Sequence, residues 1–188
     1  MEKLEFKLLT LITVLAENHL AYRGSLSDMC EFFGCKTKDS RNNQRIRDAI
    51  DSLCGKGFIR AIQDGRVWTL TLDQKAKHRA KVIRIRKDWV MAAKAYKEHY
   101  EREGRESPSV DWSAILKVWL FLIGNHKEII TSSDIANKLA VSRSVVTRAR
   151  RVLLDINAIN VHVINEKQID GSYLCLGSNI VINAWIDN

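Results

Sequence analysis

Proline occurs once in the 188 residues and glycine nine times, and aromatic residues make up only 7%. So few turn-formers exclude a β-sandwich or barrel, which needs a turn signal roughly every 8–12 residues. No segment approaches the roughly 18 uncharged apolar residues of a membrane span. The opening stretch is apolar but carries Glu2, Glu5 and Glu17, and it has neither the basic flank nor the small-residue cleavage site of a secretory leader. No membrane association is expected, and a cytoplasmic location is. Cys30, Cys35, Cys54 and Cys175 include no C-x-x-C pair. The Cys30/Cys35 spacing is loosely compatible with zinc, but no second ligand pair follows, so reduced thiols are the better reading.

Catalytic patterns are equally scarce. His19, His78, His99, His126 and His162 are scattered, without a recognisable spacing to Ser, Cys or carboxylates, and no Gly-rich phosphate loop occurs. Neither an enzyme, nor a cofactor, nor a metal is expected. His19 and His126 close matching helices, where a structural role at a helix C-terminus fits them. What the chain has is core-forming residues and positive charge. Hydrophobic residues make up 46%, enough to exclude disorder as the main state. Thirty Lys and Arg face 22 Asp and Glu, for a net charge of +8. The length suits one medium domain or two small ones.

Residues 5–72 and 112–182 repeat one pattern. Each opens with an apolar helical run, EFKLLTLITVLAENH and WSAILKVWLFLIGNH, ending in Asn-His at 18–19 and 125–126. Each continues with Ser-Asp before a short amphipathic helix, at Ser27-Asp28-Met29 and Ser133-Asp134-Ile135. Each then has a basic helix ending in Leu53 … Phe58-Ile59 and Leu153 … Ala158-Ile159. The Asn-His pairs lie 107 positions apart and these endings 100, which predicts seven extra residues between the second and third helices of the first copy.

In the second copy Thr131, Ser132 or Ser133 caps the second helix, and Ser142 caps the third. Val145, Val146, Ala149, Val152 and Leu153 form the buried stripe. Arg143, Ser144, Thr147, Arg148 and Arg151 face outward, and Asn157 closes the helix in the left-handed conformation. Asn160–Ile164 and Ser172–Leu176 flank Asp170-Gly171 as a hairpin. In the first copy Ser25 or Ser27 caps a helix ended by Gly34. Ser40 caps a helix over Arg41–Cys54, and Ile59–Ile62 and Val67–Leu72 flank a turn at Gln63-Asp64-Gly65.

The segment SSDIANKLAVSRSVVTRARRVLLDINAI resembles the helix-turn-helix core of winged-helix DNA-binding proteins. The likeness lies in its Asp-Ile-Ala opening, its Val-Ser turn, the Val-x-Arg of the third helix and the small residue before the first wing strand. The resemblance covers about 70 residues in each copy; the first departs from it by its longer loop. It implies a mainly α fold with small β-hairpin wings: tandem winged-helix domains over 1–75 and 112–188, joined by a basic helical linker over 76–111. The chain's end, GSYLCLGSNIVINAWID, also looks like the wing of some plasmid replication proteins, with Ile180 to Trp185 as the matching stretch.

Lys77 to Lys87 holds six bases and no acid. Val82 to Arg86 alternates and fits a short strand, and a helix follows from near Asp88 to Glu103. Its face of Trp89, Ala92, Ala93, Tyr96 and Tyr100 is expected to pack between domains, with a homodimer seam as the alternative. Arg79, Lys81, Arg84 and Arg86 are expected to neutralise phosphates without reading sequence.

The remaining excess charge sits on the third helices. Lys36 to Arg47 holds five bases and one acid, and Arg143 to Arg151 holds four bases and no acid. A solvated face is the ordinary meaning of such runs, yet here both fall on the element that enters the major groove in helix-turn-helix proteins. Lys36, Lys38, Arg41, Asn42, Asn43, Gln44 and Arg45 are the first copy's candidates. Ser142, Arg143, Ser144, Thr147, Arg148 and Arg151 are the second's. Arg suits guanine, Asn and Gln suit adenine, and Ser and Thr suit phosphates. Arg66 and Lys167 stand at the wing tips. The expected function is sequence-specific binding of double-stranded DNA in transcriptional regulation. The alternatives are a plasmid- or phage-type replication initiator and a winged-helix protein-interaction module, the latter disfavoured because such modules tend to be acidic.

Overall fold

The computed structural model describes residues 2–16, 21–37, 39–73, 86–125, 129–168 and 173–182, with backbone alone at 163, 165 and 173–180. Among these residues the chain is mainly helical, with a three-stranded and a two-stranded antiparallel sheet. It divides into two compact units, Met1–Lys87 and Asp88–Asn188. No helix among the described residues is long and apolar enough to cross a membrane.

The first unit runs α1 (Lys3–Leu15), β1 (Tyr22–Ser25), α2 (Leu26–Phe33), α3 (Ser40–Gly55), β2 (Ile59–Asp64) and β3 (Val67–Leu72). The sheet order is β1-β3-β2. Strand β1, paired Tyr22 to Leu70 through Ser25 to Val67, is an element that the sequence pattern did not indicate. Four residues are too few for periodicity to register, and it is β3 that holds them. The core gathers Leu8, Leu11 and Ile12 of α1, Met29 and Phe33 of α2, Ile46, Ile50 and Leu53 of α3, and Trp68 and Leu70 of β3. Each such side chain contributes about 1.5–3 kcal/mol by leaving water.

Two charged groups, Lys7 and Glu5, are buried in this unit; Lys7 Nζ donates to Phe33 O at 3.2 Å. Glu5, 2% exposed, accepts from Ser52 Oγ at 2.6 Å and Lys56 Nζ at 2.5 Å, tying α1 to the end of α3. Those two hydrogen bonds, Lys56's first, outweigh burial and lower the Glu5 pKa from 4.5 to about 2. A carboxyl held below its unfolded value contributes stability that is whole above pH 4.5 and is lost as pH falls toward 2. Lys56 is half exposed, which moderates the contribution to about 2 kcal/mol. Glu5→Gln should therefore destabilise the first unit by about that amount at pH 7 and little at pH 2. Urea titrations at the two pH values check it; equal losses at both would refute it.

The second unit runs α4 (Lys87–Arg102, from Asp88 on), α5 (Trp112–Gly124), α6 (Ser132–Leu139), α7 (Arg143–Asp155), β4 (Ile159–Lys167) and β5 (Tyr173–Ile182). From α5 onward it repeats the first unit's order of three helices and a hairpin, with a single bridge at Ile130 before α6. Helices α1 and α5 both have 13 residues, and α2 and α6 both have eight.

The second helices start alike. Ser25 Oγ accepts from Asp28 N at 3.2 Å while Asp28 Oδ2 accepts from Ser25 N at 2.6 Å. Thr131 and Asp134 make the same reciprocal pair at 3.1 and 2.9 Å. Each box satisfies two orphan N–H groups and contributes about 1 kcal/mol. They also end alike in a left-handed residue, Gly34 at φ +70 and Ala140 at φ +52. A side chain is strained there and glycine is not. Ala140→Gly should accordingly raise the second unit's stability by about 0.5–1 kcal/mol in thermal unfolding, and a loss would contradict the cap.

The insertion in the first copy is placed differently from expectation. Helices α2 and α6 begin 106 positions apart, α3 and α7 begin 103 apart and end 100 apart. The extra residues lie half in the loop and half as added helix at the start of α3. Asp39, not Ser40, caps that helix, its carboxylate accepting from Arg41 N at 2.9 Å.

The expected linker helix α4 is part of the second unit. Trp89, Val90, Ala93, Tyr96 and Tyr100 are buried. Trp89 packs on Trp119 of α5 with ring centroids 5.5 Å apart. Tyr96 Oη donates to the carbonyls of Val110 (2.7 Å) and Pro108 (3.1 Å). Tyr100 Oη donates to Asp155 at the end of α7, and burial with that carboxylate pushes its pKa up to about 12. The face proposed as a dimer seam is thus covered within the unit. An amphipathic period reveals a face to be buried but not what buries it. The basic stretch before α4, with the strand expected over 82–86, lies outside the described residues except Arg86.

Candidate nucleic-acid interface

Helix α7 is held to its unit by Val146, Ala149, Val152 and Leu153, all buried. Burying that stripe turns the opposite side outward. Arg143, Thr147 and Arg151 follow one another at four-residue steps there, exposed, with Ser144 and half-buried Arg148 beside them. Ser142 caps the helix, its Oγ accepting from Val145 N. Thr147 Oγ1 donates to Arg143 O at 3.0 Å, and Arg148 Nε to Ser144 O at 3.2 Å. Those bonds hold the side chains against their own helix while leaving further guanidinium N–H groups to the surface. Arg151 Nε lies 3.8 Å from Asp155, a carboxylate also engaged by Tyr100 and by Arg105 at 3.2 Å. No acidic residue lies between Arg143 and Leu154.

Arg150, counted by composition with this basic run, is not on the face. It is half-buried and donates from Nη1 to Ser132 Oγ at 2.9 Å, bracing α6, and burial lowers its pKa. Its position, 100 after buried Ile50, is the signal for that inward role.

On α3 the structure sorts the expected base readers. Arg41 and Arg45 are exposed, as is Lys36 in the preceding loop. Asn42 donates from Nδ2 to Lys36 O at 3.2 Å, closing that loop. Asn43 turns toward α2, its Oδ1 accepting from Cys30 Sγ at 3.6 Å. Gln44 Nε2 donates to Asp48 at 2.8 Å. The three amides are engaged in their own unit: Asn42 satisfies a backbone carbonyl of the long loop, while Asn43 and Gln44 meet side chains of α2 and α3. Arg47, which sequence reasoning counted as charge and not as a site, is exposed on the same helix. Lys38 lies outside the described residues, as do Arg79, Lys81 and Arg84. Arg86 is half-buried and has an interaction partner.

The hairpins differ in reach. In the first, Asp64 pairs with Val67 around a two-residue turn of Gly65, at φ +57, and exposed Arg66. The turn is the two residues 65–66, with Gln63 and Asp64 paired in β2, where the sequence suggested Gln63-Asp64-Gly65. The second hairpin has strands of nine and ten residues with a register shift at Ile164/Asn165. It extends well beyond the expected Asn160–Ile164 and Ser172–Leu176, because polar residues such as Asn165 and Asn179 mask the alternation. Lys167, exposed, pairs with Tyr173 at its far end, while the connection over 169–172 and Trp185 lie outside the described residues.

Among the described residues no group of three or more His, Cys, Asp or Glu is gathered as for a metal ion. Cys30, Cys35 and Cys54 are free thiols. Burial first, and then Cys35, pushes Cys30 up to about 11, which keeps it protonated. No protein-family model, curated protein or solved structure matches the chain.

Proposed function

We propose that this chain binds double-stranded DNA sequence-specifically through tandem winged-helix units, and that it regulates transcription. The observation that carries the reading is the outward side of α7, where Arg143, Arg148 and Arg151 stand with Ser144 and Thr147 and no carboxylate intervenes. Arginine places two donors on guanine O6 and N7, while hydroxyls and a helix N-terminus suit phosphate oxygens. The three-helix-and-hairpin order in both units agrees with the resemblance read from SSDIANKLAVSRSVVTRARRVLLDINAI. In such a fold a third helix enters the major groove and a hairpin lies along the backbone.

A footprint of the full chain on DNA flanking its own gene tests the proposal. Protection of a promoter segment is the expected result. Protection of repeated sites at an origin would replace regulation by replication initiation, and no protection of any duplex would overturn the DNA reading.

A further inference from the structure

Register, not composition, distinguishes the two third helices. Ile46, Ala49 and Leu53 are buried in α3, and Val146, Ala149 and Leu153, each 100 positions on, are buried in α7. The matched buried positions put the two helices in the same rotation on their own units, so surface positions 100 apart correspond. At two of them the charge is inverted. Asp48 stands where α7 has Arg148, and Asp51 where it has Arg151. Asp48 and Asp51 are both exposed. Upstream, the amides of Asn42, Asn43 and Gln44 are taken up inside the first unit.

We propose that the two units divide the work on DNA, with α7 gripping the duplex and the carboxylates of Asp48 and Asp51 on α3 acting as specificity determinants that weaken binding to random sequence. The inference rests on the DNA-binding reading above. Two carboxylates on a face brought near a polyanion are repulsive wherever base contacts do not repay the approach, and repulsion against wrong partners is one half of specificity. On α7 the same positions carry guanidinium groups, which bind any phosphate they reach and release its counterions. A chain with two alike third helices would hold random DNA with both. Here α3 keeps exposed Arg41, Arg45 and Arg47 but sets two carboxylates beside them, so its hold on random DNA is the weaker.

Full-length variants R148Q/R151Q and D48N/D51N, with the wild type, are titrated against the footprinted duplex and a shuffled duplex of equal length and composition. The titrations are repeated over a salt series, and thermal melts check that both variants fold. R148Q/R151Q should weaken both duplexes tenfold or more, and its salt slope should be shallower by about 2. D48N/D51N should bind the shuffled duplex about three- to tenfold more tightly near 0.1 M salt, with a smaller ratio between the two duplexes. An unchanged or weaker affinity of D48N/D51N for the shuffled duplex would overturn the division, as would an unchanged slope for R148Q/R151Q. In either of those cases a wild type that still binds duplex leaves the DNA reading standing. A wild type that binds neither duplex overturns both.

Discussion

Replacing Arg143 and Arg148 together by alanine should weaken binding to the footprinted duplex by about 2–6 kcal/mol, at about 1–3 kcal/mol for each arginine–base pairing removed. The fold should survive, since the buried stripe of α7 runs through Val146, Ala149, Val152 and Leu153 and neither arginine belongs to it. Arg148 bonds to Ser144 of its own helix. The measurement is an anisotropy titration on cognate and shuffled duplexes, with a thermal melt beside it. A cognate affinity unchanged in a normally folded double variant would remove α7 from the interface.

The largest effect on stability is expected at Trp89. Its side chain is 3% exposed and packs on Trp119, which is 1% exposed. Trp89→Ala should cost the second unit about 3–5 kcal/mol through reduced burial and the cavity left behind. Two compact units need not unfold together, so a single global midpoint is the wrong observable. Hydrogen exchange followed peptide by peptide separates them. Amides of α5 and α7 should lose protection by a factor of about 10² or more, while those of α1, α2 and α3 keep theirs. Unchanged protection in α5 would make α4 the independent linker that its sequence position suggested.

Punctuation is the most legible part of this chain. Ser25, offered with Ser27, and Gly34, then Thr131, offered with Ser132 and Ser133, Ser142 and Asn157 mark helix ends through bonds and backbone angles that each residue makes locally. The structure places Ser25, Gly34, Thr131, Ser142 and Asn157 at such ends; Ser40 gave way to its neighbour Asp39. Signals that depend on a distant partner mislead. Helix α4 shows a face but not its cover; β1 exists only because β3 pairs with it; Asn42 and Asn43 resemble base readers until the loop that Asn42 closes and the Cys30 thiol that Asn43 meets are seen. Arg150 counts as surface charge until Ser132 is placed beside it. The inversion of Asp48/Arg148 and Asp51/Arg151 is written in the sequence. It follows from the offset of 100 already legible at Leu53 and Leu153, and the buried residues of the two helices place their surfaces in that same register.

The salt dependence of duplex binding by the intact chain tests the central claim most directly. With roughly six to ten phosphate contacts across the basic surfaces, log affinity should fall against log salt with a slope of about −5 to −9. A slope near zero would contradict DNA binding through these helices and would leave the protein-interaction reading in its place.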